Sequence, residues 1–168
     1  MDFEIDVSGG DILTKDYVIC IASKNITKGF KFTSELIKIL RSRHGEGKYR
    51  YLHSRHGKSL LKIRIYCTII YYLFKDLNLK NKELNLKICR DFHGHEREIT
   101  SNLKYFLEDK LGLKINTSYL RLTKGDSADK YANLMRKDKK NELSYYVKIS
   151  LEEIEKFLKC IRGPQTRP

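Results

Sequence analysis

Phe3-Glu4-Ile5-Asp6-Val7 alternates apolar and acidic side chains, and Ser8-Gly9-Gly10-Asp11 follows it with turn chemistry. The period of two predicts a strand over Phe3 to Val7, and the Gly pair predicts its end. Glu4 and Asp6 then share one face of that strand. A carboxylate between Ile5 and Val7 is costly to bury without a partner, so Asp6 is a candidate for function. Glu4 is the weaker candidate, since a salt bridge would explain it equally well. Downstream, Tyr17 to Ala22 is a short apolar run with β-branched members, and Lys28 to Phe32 forms a third run around Gly29. Three strands with short connections predict an antiparallel meander.

Beyond the meander the period lengthens. Thr33 or Ser34 can cap a helix to about Arg41. The stretch 41–58, RSRHGEGKYRYLHSRHGK, is dense in Lys, Arg and His and repeats Arg-His-Gly at 43–45 and 55–57. It is expected to be an exposed basic insertion, a loop or mobile arm. Ser59 can cap a long helix to about Leu77, apolar on nearly all sides and therefore buried. Leu84 to Cys89 alternates as a fourth strand. His95 to Lys110 is an amphipathic helix with Gly112 as its C-cap. Thr117 to Leu122 is the fifth strand, and Asp126 starts a helix with Ala128, Tyr131, Ala132 and Met135 on one side. Tyr145 to Ile149 reads as a short strand or extended link. Ser150 caps a last helix to about Cys160, with Glu152 and Glu153 suiting its dipole. The order predicts an α/β domain: a mixed five-stranded sheet flanked by helices, with a basic helical and loop insertion and a C-terminal helix. Residues 1–160 are expected to form one domain, with 161–168 as a flexible tail.

The chain has 168 residues, enough for one domain with a real core. Its 34 Lys and Arg against 21 Asp and Glu give a formal charge of +13. A field of that size attracts polyanions, and nucleic acid is the expected partner. Cys20, Cys67, Cys89 and Cys160 form no C-x-x-C pair, so reduced thiols are expected rather than disulfides or a zinc ribbon. Leu60 to Phe74 is apolar, but it is short and holds Lys62 and Arg64, which argues against a membrane span. The N-terminus lacks a signal-peptide pattern, and a cytoplasmic location is expected.

Three meander strands followed by α-β-α-β-α is the order of the ribonuclease H-like fold, which the chain resembles over roughly residues 1 to 138. Ribonucleases H, retroviral integrases and Holliday-junction resolvases share that fold. The resemblance implies a set of metal-binding carboxylates. Ile5-Asp6-Val7-Ser8-Gly9-Gly10 matches the family's first strand and Gly-rich turn, so Asp6 takes the first role. Leu86-Lys87-Ile88-Cys89-Arg90-Asp91 matches the fourth strand and offers Asp91, where resolvases usually carry Glu. Asp126-Ser127-Ala128-Asp129 matches the Asp-x-x-Asp pair that opens the last core helix. Asp6, Asp91, Asp126 and Asp129 would then hold Mg²⁺ or Mn²⁺. Paired hard cations suit phosphodiester hydrolysis, because they activate water and stabilise the leaving oxygen. The implied activity is a two-metal endonuclease on a structured nucleic acid, such as an RNA–DNA hybrid or branched DNA.

Around that set, Lys124 is placed to touch the scissile phosphate. Arg41, Arg43, Lys48, Arg50, Arg55 and Lys58 are expected to grip the backbone, with Tyr49 and Tyr51 available to stack on bases. Asp91-Phe92-His93-Gly94-His95-Glu96 invites two readings of His93 and His95, as metal ligands or as acid and base. Solvated loop histidines are the commonest outcome for such a pattern. The alternative function is a non-catalytic nucleic-acid-binding (RNA-binding) protein on the same fold, which needs the basic surface and not the carboxylates. Junction cleavage would favour a symmetric homodimer.

Overall fold

The computed structural model describes residues 1–122 and 126–159. Expectations about Lys124, about Cys160 and about the tail 161–168 lie outside the described residues. The elements are β1 (Asp2–Ser8), β2 (Val18–Ala22), β3 (Thr27–Lys31), α1 (Ser34–Gly45), α2 (Arg55–Asp76), β4 (Glu83–Cys89), α3 (Glu96–Leu103), β5 (Lys114–Leu120), α4 (Ser127–Lys137) and α5 (Leu151–Glu155). The sheet order is β3-β2-β1-β4-β5. The meander β1–β2–β3 is antiparallel, while β4 runs parallel to β1 and β5 parallel to β4. The expected mixed five-stranded α/β architecture is therefore present.

Helix α2 explains most of the packing. All residues from Ile63 to Phe74 are buried, on every side of the helix. One side meets the sheet, where the Phe3 and Phe74 rings pack edge to face at 5.0 Å. The other side meets α3, its continuation and the C-terminal segment, where Phe106 and Phe157 pack edge to face at 4.9 Å. Burial of each large side chain contributes about 1.5–3 kcal/mol. The opposite sheet face is thinner. There α4 covers β1 and β2 with Ala132 and Met135 over Val18 and Cys20. On that same face Glu83, Asn85 and Lys87 of β4 are left exposed. The sheet is thus thick and apolar behind, and half-open and polar in front.

Several boundaries differ from the sequence reading. Helix α1 continues to Gly45, and α2 begins at Arg55 behind the cap Ser54, whose hydroxyl accepts from the Gly57 amide. Ser59 lies inside α2 and donates to the Arg55 carbonyl instead of capping. The basic insertion is therefore half helix ends and half the connector 46–54, because the earlier Ser supplies a full extra turn to α2. Helix α3 passes into a π-helical turn at Lys104–Asp109, a widening that lets both Phe106 and Leu107 point inward. Strand β5 starts earlier, at Lys114. Tyr146 makes an isolated parallel bridge to Gly29, so the 145–149 segment is an extended link along the β3 edge. The last helix is short and opens with a capping box between Ser150 and Glu153. Cys20 and Cys67 are buried free thiols, and Cys89 is a half-buried one. Among the described residues no helix is long and apolar enough to cross a membrane.

Gly57 fixes the connector. A Cβ there would lie 2.3 Å from the Leu52 carbonyl oxygen and 2.7 Å from its carbon, both backbone atoms. In an open helix Ala gains about 1 kcal/mol over Gly. Here Gly57→Ala is expected to reverse that sign, costing roughly 1–3 kcal/mol by overpacking. Thermal unfolding should show a midpoint lower by about 5 °C.

Candidate metal centre

Strand alternation places Glu4, Asp6 and Ser8 on the front of β1, with Phe3 and Ile5 behind. The same alternation puts Cys89, at the end of β4, on the front. The chain then turns tightly, with the Asp91 amide donating to the Cys89 carbonyl at 3.0 Å. Asp6, Cys89 and Asp91 consequently present their ligand atoms within 4.8 Å of one another. Asp6 is buried, Cys89 half-buried and Asp91 exposed, so the group opens outward through Asp91. It sits at the carboxyl ends of the parallel strands β1 and β4, where open α/β sheets commonly bind ligands.

Electrostatics show how crowded the group is. Desolvation pushes the Asp6 carboxyl up to about 6, with Asp91 and Asp129 adding to the rise. The Val7 amide, which donates to Asp6 Oδ1 at 2.8 Å, and the Cys89 thiol work against it. Asp91 is raised too, by desolvation on its inner side, and the Cys89 thiol again opposes the shift. The Cys89 thiol is itself pushed up to about 12, by burial first and then by its carboxylate neighbours. A neutral S–H therefore lies between two carboxyl groups. Tyr17, buried beneath the turn, is raised by its own burial and then by Asp91, Asp11 and Asp6. Gly9, at φ +133°, lets the turn close over it: a Cβ would lie 2.7 Å from the Tyr17 ring.

Helix α4 is pinned to β1 at two points. Glu4 accepts from the Ala128 amide at 3.2 Å, so a strand carboxylate caps this helix. Asp126 occupies the N-cap position without a side-chain cap bond. Further along, Ser8 donates to Asn133 Oδ1 at 3.0 Å, and Asn133 Nδ2 donates to Asp129 Oδ1 at 3.1 Å. Asp129 is thereby held on the side of α4 that Asp6 feels. Of the four expected carboxylates, Asp6 and Asp91 converge, Asp129 faces them, and Asp126 stands at the helix start; neither α4 residue belongs to the three-residue group.

The other expected residues are distributed as follows. His93 is exposed, with Nδ1 3.9 Å from Glu96, and His95 is half-buried, 4.0 Å from Glu98. Neither belongs to the metal-capable group. Arg43 is ion-paired with buried Glu155, which also accepts from the Tyr49 hydroxyl at 2.8 Å. Tyr49 is thus a core residue, and only Tyr51 of the two tyrosines keeps partial exposure. Lys48 pairs with Glu46 at 2.8 Å, and Arg50 lies over the Tyr51 ring at 5.3 Å. Arg41, Arg55 and Lys58 are exposed. The sequence reading missed Cys89 as a donor, because a tight turn beyond the strand end, and not strand spacing, brings Asp91 beside it. It also missed Asn133 and the capping role of Glu4, which depend on how α4 docks.

Two carboxylates and a thiol fit one divalent cation. The oxygens suit Mg²⁺ or Mn²⁺, and the sulfur draws preference toward a softer ion. Asp129 is a further carboxylate whose charge reaches Asp6. The folded chain holds the Asp6 proton more tightly than the unfolded chain, since its pKa rises from 3.8 to about 6. That favourable contribution is complete below about pH 4 and is lost as pH climbs through 6. With divalent ions chelated, Asp6→Asn should therefore raise stability at pH 7.5 by on the order of 2–3 kcal/mol and leave it little changed at pH 4. Urea unfolding at the two pH values checks this. Millimolar Mn²⁺ should raise the unfolding midpoint of the wild type and not of Asp6→Asn or Asp91→Asn. No family model matches the chain, and comparison with curated proteins and with solved structures returned no match.

Proposed function

We propose that this chain is a metal-dependent nuclease of the ribonuclease H-like kind, hydrolysing phosphodiester bonds in a structured nucleic acid. One observation carries the reading: Asp6 on the central strand and Asp91 beyond its parallel neighbour meet within 4.8 Å. The strand order β3-β2-β1-β4-β5 agrees with that fold. Asp129 approaching from α4, close enough to raise the Asp6 carboxyl, supports it further. The net charge of +13 supplies the attraction for a polyanion.

A bound divalent cation would supply a Lewis acid for the phosphoryl oxygen and a more acidic water. Asp6 and Asp91 would hold it, and Asp129 would hold or orient water beside it. Tyr17 and the Gly9 turn wall the group from behind, keeping Asp6 dry and its carboxylate strongly interacting. Cys89 must give up its proton or remain a neutral neighbour. Which it does sets metal preference: Cys89→Ser should weaken Mn²⁺ binding several-fold more than Mg²⁺ binding if the sulfur ligates.

The test is cleavage of labelled hybrid, duplex, four-way-junction and single-stranded substrates with Mg²⁺ or Mn²⁺, wild type beside Asp6→Asn. Metal-dependent cutting that falls at least a hundredfold in the variant, with binding kept, is the expected result. Tight, salt-sensitive binding with no cutting by either protein would leave the non-catalytic binding reading in its place.

A further inference from the structure

The carboxylate group borders a chain of two cavities. The first, about 220 Å³, lies between Asp91, the Gly9-Gly10 turn and Lys62, whose ammonium pairs with Asp11 at 2.7 Å. Lys62 also lines the second, a cavity of about 540 Å³ between α1 and α2. Among the described residues its lining cations are Arg41, Lys58 and the Asp11-paired Lys62, and no carboxylate lines it. Leu13 and Leu61 form an apolar floor, and His44 and His53 form a wall.

That wall is built rather than incidental. His44 is buried, and its Nε2 lies 3.2 Å from the Tyr51 carbonyl oxygen and 3.3 Å from that of Leu52. His53 Nε2 donates to the His44 carbonyl at 2.6 Å, and the two rings meet edge to face at 4.8 Å. Since carbonyl oxygens only accept, each Nε2 carries a proton. The basic insertion is thereby divided. Arg43 and Lys48 are occupied in ion pairs, while Arg41 and Lys58 converge on this cavity.

We propose that the second cavity receives one unpaired nucleotide of a nucleic-acid substrate. Its base and sugar would lie on Leu13 and Leu61 beside the imidazole wall, and its phosphate on Arg41 and Lys58. An apolar floor with a cationic rim matches a nucleotide, whereas a row of surface cations would match only the backbone. A base stacked inside a continuous duplex cannot enter, and extruding one costs a few kcal/mol. The site therefore selects single-stranded or branched substrates over unbroken duplex. This deepens the nuclease reading by naming the substrate class, and it rests on that reading only for the choice of nucleic acid as ligand.

The test is binding with divalent ions chelated, so that chemistry plays no part. The probes are a single-stranded oligothymidylate, a blunt duplex with the same number of phosphates, and thymidine monophosphate. Wild type should bind the single strand at least tenfold tighter than the duplex. Arg41→Ala with Lys58→Ala should lose at least tenfold on the single strand, with the salt dependence shallower by about one counterion. A control pair, Lys137→Ala with Lys140→Ala, removes the same charge from exposed positions beyond the cavity and should lose threefold or less. Thymidine monophosphate should move the His44 and His53 ring resonances in the wild type and not in the cavity pair. Equal losses in the two pairs, duplex bound as tightly as single strand, or unmoved histidine resonances would each overturn the proposal. If the wild type cuts but the cavity pair keeps its KM, the cavity falls and the nuclease stands. If selective binding is found and no metal supports cutting, the nuclease falls and the cavity stands.

Discussion

Helix α2 is buried around its whole circumference, and the rest of the fold is arranged to cover it. A surface helix has one stripe to hide; this one has none that water tolerates over Ile63 to Phe74. The sheet takes one side, and α3 with the C-terminal segment takes the other. That demand orients β1, since Phe3 and Ile5 must face α2. With the period of the strand fixed at two, Glu4, Asp6 and Ser8 have only the front left. The position of the candidate centre is therefore a by-product of covering α2.

The front of the sheet carries an electrostatic cost. Asp6 is buried beside a second carboxyl group and a thiol, an arrangement that disfavours its ionised form. Proteins that gain nothing from such a cluster usually pair each carboxylate with a cation of their own. Lys62, the lysine flanking this region, pairs instead with Asp11. Strain of this kind concentrates where a ligand relieves it.

Period and punctuation made most of the fold legible. The alternation through Asp6 and the turn at Gly9-Gly10 fixed β1, and the apolar run through Ile70 fixed α2. What failed to show were competitions between equivalent signals. Ser54 and Ser59 can each cap a helix, and Ser54 does so where the chain packs Gly57 against the Leu52 backbone. Tyr49 looked available for stacking because local sequence says nothing of Glu155, which lies more than a hundred residues away. In the centre, Asp6 and Asp91 were visible from strand ends. Cys89 was overshadowed because a cysteine in an apolar run usually signals core. Asn133 carried no signal at all, since its role follows from the docking of α4.

The two ties between β1 and α4 have a consequence for timing. Glu4 holds the first turn of the helix, and Ser8 reaches the second turn at Asn133, which in turn holds Asp129. Neither tie uses an atom of the Asp6–Cys89–Asp91 group. Strand and helix are thus registered before anything binds, and sliding one past the other would break both ties together. A ligand arriving between them finds no backbone to reorganise. Its entry would then need no shift of one element past another, the kind of motion that takes microseconds to milliseconds.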